Sequence, residues 1–144
     1  MGLAAAAAAV SDRPELTDEE LDFLNSVFDV VREGDTETVV AYVDQGLPVN
    51  LTNAKGDSLL ILAAYHEHPD LVAALLSRGA DPDRVNGRGQ TAVVAAVFRQ
   101  HRAIVEALLA AGADPALGSP DARATAAYFQ LPEMVVLLER VSPS

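Results

Sequence analysis

Residues Gly87–Pro115 read GRGQTAVVAAVFRQHRAIVEALLAAGADP, and the stretch one period earlier, Ala54–Pro82, reads AKGDSLLILAAYHEHPDLVAALLSRGADP. Shifted by 33 residues, Gly56 falls on Gly89, Ala63 on Ala96, Tyr65 on Phe98, His68 on His101, Leu71-Val72 on Ile104-Val105, Leu75-Leu76 on Leu108-Leu109, and Gly79-Ala80-Asp81-Pro82 on Gly112-Ala113-Asp114-Pro115. A fixed period of this length marks stacked structural units rather than a single irregular core. Backwards, Gly46 and Val39 stand one period before Gly79 and Val72, so a diverged copy occupies roughly residues 20–52. Forwards, Leu131–Leu138, LPEMVVLL, matches HPDLVAALL after a deletion of about three residues, which makes four units.

Each unit holds two short apolar segments around a polar break. In the second unit Pro69-Asp70 reopens a helix and Gly79 closes it, the usual placing of proline at the first turn and glycine past the last. Leu71, Val72, Leu75 and Leu76 form one apolar stripe, while Ala63 and Ala64 let the neighbouring helix approach closely. A lone hairpin cannot cover such a stripe, so its stability must come from the next copy. GADP closes one hairpin and aims the chain into the exposed loop ahead of the next.

Composition fits this reading. The 144 residues, half of them hydrophobic, suit one domain that buries roughly two thirds of its unfolded surface. No cysteine is present, which excludes disulfides and thiolate chemistry and fits a cytoplasmic location. The opening MGLAAAAAAV lacks the basic start of a signal peptide, and no apolar run reaches spanning length, so no membrane anchor is expected. Net charge is −11, with eleven acids and two bases in the first 50 residues. No basic stripe is available to a polyanion, and nucleic acid is not an expected partner.

The pattern resembles the ankyrin repeat family, whose G-x-T-P-L-H-x-A-A, then G-H, then I-V-x-x-L-L-x-x-G-A-D-P is echoed by Gly89-Gln90-Thr91 with Ala95-Ala96, by His101, by Ile104-Val105 with Leu108-Leu109, and by Gly112–Pro115. The resemblance covers about residues 17–141. It implies an all-α ankyrin-repeat solenoid of about four helix-turn-helix units, at 17–52, 53–85, 86–118 and 119–141, with residues 1–15 an alanine-rich tail, the repeat domain at 16–141, and 142–144 a second tail. Two departures stand out. T-P-L-H is replaced by Ser58-Leu59-Leu60-Ile61 and Thr91-Ala92-Val93-Val94, and Glu67 and Gln100 stand where the family prefers glycine. If those sites stay left-handed, each costs about 1 kcal/mol.

The ends are expected to be capped. Thr17-Asp18-Glu19-Glu20 is a capping-box sequence, with Leu16 and Leu21 as its hydrophobic staple. Ser119-Pro120 is expected to be the N-cap and first residue of the seventh helix, and Pro132-Glu133 to open the last.

Little in the chain suggests chemistry. His66, Glu67 and His68 are too close in sequence to share a helix face, and no HExxH is present, so no metal or cofactor is expected. His68 and His101 are expected to bond nearby backbone. Asp81, Asp83 and Asp114 lie beside prolines and are better explained by turns than by acid–base catalysis. Asn86-Gly87-Arg88-Gly89 has no preceding strand and is expected to be a loop tip rather than a phosphate cradle. No nucleophile–base–orienter set can be assembled, so an enzyme is not expected.

The family resemblance places partner contacts at the loop tips and the exposed side of each first helix. Carried over by register, these are Lys55, Asp57, Arg88 and Gln90 on the tips, and Arg32, Tyr65, His66, Phe98, Arg99, Tyr128 and Phe129 on the helices. Aromatics and arginines are the residue types that anchor interfaces. The rings form a ladder with two readings, a docking surface or packing between successive first helices, and partial exposure would favour the first. The expected function is a non-catalytic protein-binding module: an adaptor, inhibitor or accessory protein. Some small bacterial ankyrin proteins are associated with catalases, so the resemblance makes an enzyme assembly such as a catalase a candidate partner. The alternatives are a small-ligand or enzymatic protein using the groove, and a self-assembling structural unit.

Overall fold

The computed structural model describes residues 17–140. The alanine-rich segment, Leu16 of the expected staple and the C-terminal tail lie outside the described residues. Eight helices occur within them: α1 (Asp18–Glu33), α2 (Thr36–Asp44), α3 (Leu59–Tyr65), α4 (Pro69–Ser77), α5 (Ala92–Phe98), α6 (Arg102–Ala110), α7 (Ala122–Tyr128) and α8 (Pro132–Glu139). They pair in sequence as four antiparallel-type hairpins. The first helices α1, α3, α5 and α7 pack one against the next, and α2, α4 and α6 form a second row. α8 packs on α7.

Helix starts follow from side-chain oxygens that satisfy otherwise unpaired amides. Thr17 and Glu20 close the capping box, Thr17 Oγ1 accepting from the Glu20 amide at 3.1 Å and Glu20 Oε1 from the Thr17 amide at 2.8 Å. Ser58, Thr91 and Asp121 cap α3, α5 and α7 by accepting from the third amide onward, at 3.0, 3.2 and 2.8 Å. The seventh helix therefore departs from expectation: Ser119-Pro120 is a cis peptide ahead of the cap, and Asp121 is the N-cap. An aspartate oxygen serves that role, and the Ser119 amide is engaged elsewhere, donating to the Gly89 carbonyl at 2.8 Å.

Between the helices of a hairpin the chain turns through left-handed residues. Glu67, Gln100 and Gln130 have φ of 63°, 58° and 56°, so all three hold a conformation that side chains resist by about 1 kcal/mol each. In the first hairpin Gly34, with φ 78°, serves the same corner. A Cβ there would run into the His68 ring.

The core explains the two kinds of helix. α3 and α5 each bury six consecutive residues, Leu59–Ala64 and Ala92–Val97, because each lies between two neighbouring first helices and its own partner. The outer helices bury only a stripe, Leu71, Val72 and Leu75 in α4 and Ile104, Val105, Leu108 and Leu109 in α6. Leu75 and Leu108, one period apart, are both fully buried in the same continuous core.

Outside the helices the loop tips are linked by hydrogen bonds that repeat with the units. Asn53 Oδ1 accepts from the Lys55 and Asp57 amides, and Asn86 Oδ1 accepts from those of Arg88 and Gln90, all within 3.0 Å. Tip joins tip through the Gly87 amide donating to the Lys55 carbonyl at 2.8 Å. A Cβ on Gly56 would fall 2.9 Å from the Gly87 nitrogen, which is why glycine recurs there. Farther along, Asn50 Oδ1 accepts the Asp81 amide and Asp83 Oδ1 the Asp114 amide, both at 2.8 Å.

Candidate functional site

The C-terminal ends of α3, α5 and α7 bring three units' rings together. Tyr65 and Phe98 stack nearly parallel, with centroids 6.4 Å apart and planes 7° from each other. Phe98 meets Phe129 edge-on at 5.3 Å, and Phe129 meets Tyr128 at 4.9 Å. Such offset and edge-to-face arrangements are the ones that ring quadrupoles favour. The rings nonetheless remain open to solvent: Tyr65 is 37% exposed, Phe98 42%, Phe129 49% and Tyr128 81%. They pack between units and present an aromatic surface at once, which joins the two readings of the ladder.

The last rung has slipped by one residue. Tyr128 ends α7 as Tyr65 ends α3 and Phe98 ends α5, yet Phe129, the residue after the helix, contacts Phe98.

Charged groups flank the ladder. The Arg99 guanidinium lies 5.2 Å from the centre of the Tyr65 ring, a cation–π geometry, and donates to Glu67 Oε2 at 2.7 Å. That hydrogen bond, reinforced by the positive charge, holds the Glu67 carboxyl below its ordinary range and raises Arg99. Arg32 pairs with Asp29 at 2.9 Å. His66, half-buried beside Tyr65, is held below the ordinary imidazole value by desolvation and then by Arg32, His68 and Arg99.

Between the first tips and the ladder lies a recess of about 160 Å³ whose lining includes Arg32, Lys55, Tyr65, His66 and Arg88. Lys55 and Arg88 are exposed on consecutive tips. Asp57 and Gln90 occupy equivalent places one period apart, but Asp57 is only 5% exposed and its Oδ1 accepts from Asn86 Nδ2 at 2.7 Å. Asp57 thus serves to hold one tip to the next, with Gln90 Oε1 accepting from the same amide at 3.2 Å. This corrects the expectation that Asp57 is displayed at a tip; burial beneath the second tip takes its carboxylate inside.

The remaining candidates sit where turn chemistry puts them. His68 Nε2 lies 2.6 Å from the Arg32 carbonyl, and His101 Nδ1 accepts from the Ile104 amide at 3.3 Å. Asp81 and Asp114 each accept from the amide two residues on, at 2.9 Å. Among the described residues no group of three or more His, Cys, Asp or Glu is placed to hold a metal ion, and no helix is long and apolar enough to cross a membrane.

Sequence reasoning missed the tip asparagines, the Asn50 and Asp83 side-chain acceptors and two ion pairs that tie adjacent units, Arg78–Asp44 at 2.8 Å and Arg99–Glu67. The signal was available: Asn53 and Asn86 are one period apart.

A family model for ankyrin repeats, in three copies, matches residues 27–118. An ankyrin repeat protein of Pseudomonas aeruginosa is 50% identical over 62 residues, covering 43% of this chain and 36% of that protein. The chain thus spans little more than a third of the length of the curated relative it matches. The family match covers well over half of the chain, and the chain belongs to the ankyrin repeat family, whose repeats generally serve protein–protein interaction.

Proposed function

We propose that this ankyrin-repeat chain is a non-catalytic protein-binding module, an adaptor, inhibitor or accessory protein that engages its partner through the loop tips and the first-helix face. The observation that carries this reading is the ladder Tyr65–Phe98–Phe129, cohesive across three units yet partly exposed in every rung. Exposed aromatics flanked by arginine are the groups that dominate binding energy once water is excluded. Because the rungs sit on packed helices, little ordering entropy is lost when a partner covers them. Among the described residues the recess beside the ladder is open to solvent, which suits a macromolecular contact better than turnover of a small molecule.

Contact residues in this reading are Arg32, Lys55, Tyr65, His66, Arg88, Gln90, Phe98, Arg99, Tyr128 and Phe129, with Asp57 supporting the tips from beneath. The finer reading, an accessory protein of a bacterial enzyme such as a catalase, rests on the family resemblance.

The test is affinity capture from the native bacterium with the wild-type chain and with Tyr65→Ala/Phe98→Ala, followed by mass spectrometry. Loss of a specific partner with the helical signal retained supports docking on the rings. Equal capture by both chains overturns it. Truncation of a well-packed interface anchor costs about 2 kcal/mol or more, or roughly thirtyfold in affinity.

A further inference from the structure

We propose, resting on the reading above, that the recess between the first two loop tips and the Tyr65 rung is a subsite for an acidic peptide segment. Aspartate or glutamate carboxylates of the segment meet Arg32, Lys55 and Arg88, and its apolar side chains lie along Tyr65 and Phe98.

Charge distribution is the first argument. The chain as a whole carries −11, yet this recess takes a cation from each of three successive units, Arg32, Lys55 and Arg88. Lys55 and Arg88 are one period apart, so the positive charge is repeated along the stack rather than isolated. Arg78, Arg84, Arg99 and Arg102 are all held in ion pairs. Lys55 and Arg88, in contrast, are exposed and have no ion-pair partner among the described residues. Among the described residues Arg32 pairs with Asp29, itself 70% exposed, and surface pairs of this kind contribute little and exchange readily.

One acid shares the lining with these cations: Asp57 is only 5% exposed and accepts from the Asn86 amide at 2.7 Å, so three cations face one covered carboxylate. His66 beside it is lowered first by its own burial and then by Arg32, His68 and Arg99, with Asp57 acting the other way.

Size and surroundings select a peptide over a nucleic acid. About 160 Å³ admits a few side chains of an extended segment, and the ladder beside it offers apolar contact that a phosphate backbone cannot use.

The full chain is titrated by fluorescence anisotropy with a short fluorescein-labelled peptide of alternating Glu and Leu, and with its Gln-for-Glu counterpart. The Glu peptide is expected to bind about tenfold or more tightly than the Gln peptide, and to weaken about tenfold in Lys55→Glu/Arg88→Glu with the circular dichroism unchanged. Amide chemical shifts should move around residues 55, 65, 66 and 88, and added salt should weaken binding. Equal affinity for the two peptides overturns the proposal, as does unchanged binding by the charge-reversed variant. No binding of the Glu peptide at about 1 mM, a free energy near −4 kcal/mol, or tighter binding of inorganic polyphosphate or duplex DNA to the same residues also overturns it. In the capture experiment, a partner lost by the ring variant but kept by the charge-reversed one sinks this subsite and leaves the docking reading intact. A partner kept by both sinks the docking reading.

Discussion

The second and third hairpins and the fourth are built from the same hairpin, but they end differently. In residues 53–118 the full period is kept: Ser58 and Thr91 cap equivalent helices, Gly56 and Gly89 turn equivalent tips, and Tyr65 stacks flat on Phe98. The fourth hairpin, outside the region matched by the family model, is about three residues shorter ahead of α7. There Asp121 replaces the hydroxyl cap, Phe129 replaces Tyr128 as the ring on Phe98, and Val136 of α8 is 51% exposed. A recess of about 260 Å³ opens between Arg102 at the start of α6 and the side chains Pro132, Val136 and Leu137 of α8. Core packing survives a shortened loop because apolar burial is non-directional, whereas a ring contact or a cap depends on single positions.

Inner and end hairpins should differ most in the core. Leu108→Ala should cost about 2–5 kcal/mol and lower the thermal midpoint of the whole chain, since α6 is held by α4 and α5. Leu138→Ala, equally buried but on the end hairpin, should cost less, because the site has room to relax. Equal losses by chemical denaturation would remove the distinction between inner and end units.

Caps come next. Thr91→Ala and Asp121→Ala should each lose about 1 kcal/mol, with the aspartate variant also losing its advantage as an anion at a helix N-terminus. Salt titration separates the two: added salt should shrink the Asp121→Ala loss and leave that of Thr91→Ala unchanged.

A gain of similar size is expected at the corners. Gln100→Gly and Gln130→Gly should each stabilise by up to about 1 kcal/mol, reduced by the extra freedom glycine gives the unfolded chain. The Glu67 corner should gain less from glycine, because that substitution also removes the ion pair to Arg99. Denaturation midpoints of the three variants rank these outcomes.

The smallest effects are in pH dependence. Glu67 has its carboxyl lowered in the fold by the hydrogen bond from Arg99, so its contribution is present above its ordinary value of 4.5 and is lost as pH falls through the lowered folded value. Glu67→Gln should flatten that part of the acid limb. His66 is lowered by burial and then by neighbouring cations, so the unfolded chain binds its proton first as pH falls below about 6.5. Stability should therefore decline on acidification through that range in the wild type and less in His66→Gln. A steeper decline in the variant would reverse the assignment.

How far each feature could be foreseen tracks how it is encoded. The hairpins, the buried stripe from Leu71 to Leu109 and the left-handed corners at Glu67 and Gln100 were legible, because a period reports every position that recurs with it. The corner at Gln130 follows the same rule once the deletion is allowed for. The slip from Tyr128 to Phe129 was not legible, because Tyr128 keeps the helix-end register of Tyr65 and Phe98, and which of two adjacent rings meets Phe98 depends on side-chain packing that a period does not report. Ser119-Pro120 misled for a related reason: both residue types suit a helix start, but Asp121 beside them suits it as well, and the Ser119 amide was already committed to Gly89. Asp57 was misplaced because a charged residue at a tip is ordinarily solvated, and only the second tip, folded over it, supplies the Asn86 amide that makes burial tolerable.

The side-chain acceptors between loops also say where the molecule could be lengthened. Asn50 receives the amide of Asp81 and Asp83 that of Asp114, but the next place in the series is Ala116, whose methyl group can receive nothing. A duplicated module grafted between residues 85 and 86 would find an acceptor waiting on the preceding loop, whereas one grafted after residue 118 would meet alanine unless Ala116→Asp accompanied it.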